Sequence, residues 1–114
     1  MGESLPLLKG TLDLLILKAL SVEPAHGYGL VNWLEARSGG ALEVEDSALY
    51  QALHRMEARG WVDAEWGVTE NNRRARYYTL TSAGRAHLAE ESETWARYAA
   101  SVADILAVDA GPGA

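Results

Sequence analysis

The sequence predicts a mainly α, α+β fold, and three observations carry that expectation. Apolar residues recur at steps of three and four in three stretches before residue 60, the spacing of one buried helix face. Two short segments rich in aromatic and β-branched residues then flank a polar connection, as in a hairpin. Beyond residue 81 the apolar residues fall seven apart, as on one long helix. The chain has 114 residues, 48% of them hydrophobic and 23% charged, which fits one compact domain with a real core.

Each element has a local cause. Leu5, Leu8, Leu12, Leu15, Ile16, Ala19 and Leu20 line one face of a first helix over residues 6–21, which Pro24 ends. The connection that follows is too short for a strand. Leu30, Val31 and Leu34 mark a second helix, closed by Ser38-Gly39-Gly40. Leu42 and Val44 alternate with Glu43 and Glu45 in an extended stretch, and Asp46 or Ser47 caps a third helix over 46–59, with Leu49, Leu53 and Met56 inward and Gly60 just past its end. Trp61 to Trp66 and Arg76 to Leu80 form the hairpin, with residues 67–75 as its connection. Tyr77 and Tyr78 point to opposite faces. Thr81 caps a last helix of about 26 residues, near 39 Å long at 1.5 Å per residue, with Gly84 an early weak point. The tail, 109–114, has nothing to bury and is expected to be disordered.

Three helices followed by a hairpin with a basic tip is the order of a winged helix-turn-helix. The predicted organisation is a winged-helix DNA-binding domain over 1–80, a dimerisation helix over 81–108 and the tail. In such a fold the second helix of the pair enters the major groove and its neighbours hold phosphates. Once the apolar residues of the third helix are turned inward, Ser47, Tyr50, Gln51, His54 and Arg55 remain for DNA. The wing, a loop over residues 69–76, adds Asn71, Asn72, Arg73, Arg74 and Arg76 for the backbone or minor groove. A net charge of −6 argues against a uniformly basic binder. The distribution answers it: residues 1–45 carry −3, residues 46–85 carry +1 and residues 86–114 carry −4. Screening over about 8 to 10 Å hides distant carboxylates from DNA at the basic tip.

On the last helix Leu88, Trp95 and Val102 are seven apart, and Tyr98 and Ile105 add a second seam. Such a helix outruns a body of this size, so its distal half needs a partner, and a second copy in a two-fold homodimer matches an inverted-repeat operator. Glu91 interrupts the seam. His26-Gly27-Tyr28-Gly29 lacks the preceding strand and the lysine of a phosphate loop and reads as a tight lead into the second helix. His26, His54 and His87 have no metal spacing, no nucleophile arrangement accompanies them, and there is no cysteine. Neither catalysis, a metal nor a cofactor is expected. No apolar run reaches the length of a membrane span, which places the protein in the cytoplasm without a membrane partner.

Lys9-Gly10-Thr11-Leu12, Pro24-x-His26-Gly27-Tyr28-Gly29, Leu49-Tyr50 with Ala52-Leu53-His54-Arg55-Met56-Glu57, Gly60-Trp61, Arg74-x-Arg76-Tyr77-Tyr78 and Leu80-Thr81-x-x-Gly84 together resemble the PadR family of bacterial transcriptional regulators over about residues 8–106. The resemblance implies an N-terminal winged helix, a C-terminal dimerisation helix and repression relieved by a small molecule. Gln51 departs from it, since many members carry proline after Leu-Tyr. By position Trp95 resembles a tryptophan that walls a central cavity in compact members, where flat aromatic compounds stack. Leu8, Leu12 and Leu15 would complete such an effector pocket. The rival expectation is a winged-helix dimer that binds proteins or sequesters small molecules without binding DNA.

Overall fold

The computed structural model describes residues 5, 7–8 and 10–111. Helix α1 spans Thr11–Val22, starting five residues later than the apolar spacing predicted. Gly10 stands at φ 87° at its N-cap and turns the chain out of helical geometry, so Leu5 and Leu8 lie outside the helix. Leu5 instead donates its N–H to the Ala41 carbonyl at 2.6 Å in a single parallel bridge with Leu42. Pro6 and Lys9 fall outside the described residues.

A two-residue strand, β1 (Ala25–His26), follows, in the connection thought too short for one. It forms because a neighbouring strand offers a free edge, and one extended dipeptide suffices to pair with it. Helix α2 (Gly27–Arg37) begins at once, with His26 Nδ1 accepting from the Gly29 N–H at 3.1 Å. It ends as expected at Ser38, with Gly39 and Gly40 at positive φ. Helix α3 (Asp46–Ala58) is not capped by Asp46 or Ser47: Glu45 holds the N-cap position and its side chain makes no capping bond. Gly60 at φ 77° closes the far end.

Strands β2 (Val62–Val68) and β3 (Arg74–Leu80) pair antiparallel from Val62↔Leu80 to Val68↔Arg74, in a sheet of order β1-β3-β2. Both run further than predicted, and the connection shrinks to residues 69–73. Asn72 at φ 61° makes the turn, and the Thr69 N–H donates to the Arg73 carbonyl at 2.8 Å. Arg74 and Arg76 are therefore strand residues and not part of a loop. Helix α4 (Ser82–Leu106) is capped by Thr81, whose hydroxyl accepts from the Gly84 N–H at 3.0 Å. Asp109 to Gly111 have no regular structure; the rest of the predicted tail lies outside the described residues.

Ile16, Leu17, Leu30, Leu49, Leu53, Met56 and Val62 are fully buried and tie α1, α2, α3 and β2 into one core. Each contributes about 1.5–3 kcal/mol through burial. Tyr78 and Leu80 join them from β3, while Tyr77 faces the other way, against His26. From residue 92 onward every described residue of α4 is exposed, and the molecule is drawn out to 64 × 34 × 21 Å. Among the described residues no helix is long and apolar enough to cross a membrane.

Candidate nucleic-acid interface

Helix α3 presents three surfaces. Leu49, Ala52, Leu53 and Met56 have no exposed surface and fix its inner face on the core. At 100° per residue Ser47, Gln51 and His54 then point directly outward, and all three are exposed. The flanks lie between. On one, the Arg55 guanidinium donates to Asp13 Oδ1 of α1 at 2.7 Å. On the other, Glu57 accepts from the Arg76 guanidinium of β3 at 3.1 Å. Two arginines expected to meet DNA are thus held by carboxylates of the same chain.

Tyr50 is half-exposed on the β-sheet side of α3, and its ring passes over Gly27, where a Cβ would collide with it. The glycine lets α2 and α3 approach closely, in keeping with a tight lead into the second helix. Tyr28 itself is exposed, outside the core.

The outer hairpin carries the remaining candidates. Asn71, Asn72, Arg73 and Arg74 are all exposed at its tip, and Arg76 is half-buried nearer the body. The Arg74 guanidinium lies 4.5 Å from the centroid of the Trp66 ring, and that of Arg76 lies 5.9 Å from it. Trp66 is the residue the sequence underused. Its sequence context marks only a strand, yet it continues the inward-facing row Val62, Ala64 past the end of the core, where a large side chain has no body to cover. Its 59% exposure and its two arginines follow from that position. Between the hairpin and the start of α2 opens a cleft of about 1060 Å³, lined among others by Tyr28, Asn32, Tyr50, Trp66, Arg73 and Arg74. Burial raises the Tyr78 phenol above its usual value. Among the described residues no cluster of His, Asp and Glu could hold a metal ion.

The second candidate region is the far end of the molecule. Trp95 and Val102 are 39% and 38% exposed on one line of α4, and Tyr98 and Ile105 are 61% and 72% exposed beside them. The Trp95 and Tyr98 rings stand 6.1 Å apart. Leu88 is different: it packs on the core of its own chain, as do Leu12 and Leu15 of α1, whereas Leu8 is exposed ahead of that helix.

The description Transcriptional regulator PadR-like family matches residues 16–90. A PadR family transcriptional regulator from Eggerthella lenta is similar at 31% identity, with 89% of this chain and 86% of that one covered and a TM-score of 0.76. A PadR-like transcriptional regulator from Bacillus cereus is similar at 25% identity over 90% of this chain and 97% of its own, with a TM-score of 0.77. A Lysinibacillus sphaericus protein described as uncharacterized is 27% identical over 90 residues, 79% of this chain and 83% of the relative.

Proposed function

The chain belongs to the PadR-like family of transcriptional regulators, and from that premise we propose that it is a homodimeric, sequence-specific DNA-binding repressor released by a small effector. One observation supports this most. On a chain of net charge −6, an exposed polar face, Ser47, Gln51 and His54, stands beside a hairpin tip with exposed Arg73 and Arg74. The face supplies hydrogen-bonding groups for base edges and the tip supplies cations for phosphates, the division of labour that sequence-specific binding needs. Tyr50 and Asn71 and Asn72 border the same surface and add donors to the backbone contact. A module that bound only proteins would have no need of positive charge there.

The dimer of this proposal forms through the distal half of α4, where Trp95, Tyr98, Val102 and Ile105 of two copies cover one another. A two-fold pair of α3 helices then meets an inverted repeat. Trp95 provides the wall on which a flat aromatic effector stacks, with Leu8, Leu12 and Leu15 as the remaining lining. The effector works by binding better to a dimer whose α3 helices are wrongly spaced for DNA. Such a regulator acts in the cytoplasm, on double-stranded DNA.

The test is binding of the purified chain to DNA upstream of its own gene, titrated at several salt concentrations with scrambled DNA as control. Selective binding that weakens with salt is expected. Replacing Arg73 and Arg74 with alanine should weaken both DNAs alike and flatten the salt dependence by about one power of salt per lost phosphate contact. Equal, feeble binding to the upstream DNA, the scrambled control and DNA selected from a random pool would favour the interaction module instead.

A further inference from the structure

Arg55 and Glu57 are two residues apart on α3 and so leave the helix about 160° apart. Each ends in an ion pair with a different element: Arg55 with Asp13 of α1 at 2.7 Å, Glu57 with Arg76 of β3 at 3.1 Å. The core holds the inner face of α3, but apolar contacts are non-directional and tolerate a small rotation about the helix axis. A charge-assisted hydrogen bond is directional, and one on each flank opposes rotation in both senses. The pairs are poor devices for stability alone. Arg55 and Asp13 side chains are 49% and 23% exposed, and pairs so open to water contribute little. Nor do they suit simple attraction to a polyanion, since each takes an arginine beside α3 out of free positive charge.

Resting on the assignment of α3 as the DNA-reading helix, we propose that Asp13 and Arg55 are positioning residues for base recognition: their ion pair, opposed by Glu57 and Arg76, sets the roll of α3 and hence where Gln51 and His54 meet the bases. The lever arm makes this matter. A side-chain tip about 6 Å from a helix axis moves about 1 Å for a roll of about 10°. That exceeds the width of the usual hydrogen-bond range, about 2.7 to 3.2 Å. Phosphate contacts through flexible arginines at the hairpin tip absorb the same displacement. Loosening the pair therefore harms discrimination and spares non-specific affinity.

The experiment uses the full chain and the DNA that it enriches from a random-sequence pool. The ratio of affinities for enriched and scrambled DNA, the salt slope on each and the thermal midpoint are measured for the parent, Asp13→Asn, Arg55→Asp and the charge-swapped double variant Asp13→Arg with Arg55→Asp. The ratio should fall about two- to fivefold in each single variant, the most that an ion pair so open to water can bias, with the scrambled-DNA salt slope of Asp13→Asn unchanged, and should recover in the swapped pair. An unaltered ratio in a folded Asp13→Asn protein overturns the inference. So does a ratio that falls with Arg55→Asp, stays normal with Asp13→Asn and is not restored by the swap, since Arg55 then contacts a base itself. A salt slope steeper by about one in Asp13→Asn overturns it too, by showing that Asp13 merely withholds a cation from phosphate. A parent chain that enriches no sequence overturns the DNA-reading assignment and this inference with it, an outcome distinct from a selective parent with indifferent variants.

Discussion

Gly84 sits where a side chain has no room. A Cβ there would meet the Trp61 carbonyl oxygen and crowd the Leu80 side chain, so α4 can leave the sheet at this angle only because the position is bare. From sequence the residue was an early weak point in a helix, a cost of backbone freedom. The packing reason was illegible because it depends on Trp61, 23 positions away and brought near by the β2–β3 pairing. Gly84→Ala should accordingly destabilise the fold by about 1–3 kcal/mol, although alanine is the better helix former. Urea unfolding checks the sign: a more stable variant would mean that the close approach relaxes at little cost. Arg55 and Arg76 teach the same lesson from the other side. Their charge and their place beside α3 and β3 were legible, but their carboxylate partners, Asp13 and Glu57, come from 42 and 19 residues away. No local pattern announces such a pair.

Elements were legible where periodicity was long and punctuated. Helix α4, capped by Thr81 and ending at Leu106, and α3, closed by Gly60, lie within a residue or two of their predicted bounds because the apolar spacing agrees with the cap in α4 and with the glycine in α3. The first helix was misjudged at its start because Leu5 and Leu8 keep helical spacing while Gly10 breaks the backbone. Strand β1 was missed because its two residues exist as a strand only through β3. The hairpin is legible but longer than its sequence suggests, since Gly67 and Ala75 look like turn residues but face each other in register, with the Tyr77 ring lying where a Gly67 side chain would be. The start of α3 offers a prediction at this scale. Glu45 occupies its N-cap without a capping bond, so the first amides have no acceptor from its side chain. Glu45→Asp keeps the charge near the helix N-terminus and brings the carboxylate within reach of those amides. Thermal unfolding should show a gain of about 0.5–1 kcal/mol; an unchanged midpoint would mean the extended backbone before Asp46 keeps the shorter side chain from folding back.

At the scale of the whole molecule, the 25 residues of α4 run about 37 Å, and only the proximal part lies on the body. Trp95, Tyr98, Val102 and Ile105 are left on the free part at heptad spacing, more apolar surface than a projecting helix gains by keeping in water. If a second copy covers it, the interface is two-fold and each of these residues meets a symmetry mate or its neighbour. Val102→Asp would then place two carboxylates in or beside the seam, and the chain should sediment as a monomer. It should also bind an inverted repeat far more weakly than the parent, because two tethered half-site contacts become two separate ones. Trp95 permits a separation of roles within the same seam. Trp95→Ala removes a flat aromatic face but no charge enters, so a dimer supported by Tyr98, Val102 and Ile105 should persist. If Trp95 is the effector wall, calorimetric titration of that dimer with planar aromatic compounds should show affinity reduced by at least about tenfold, the scale of losing one good stacking contact. Equal affinity in parent and variant would move the effector away from α4, and loss of the dimer itself would make Trp95 a packing residue first.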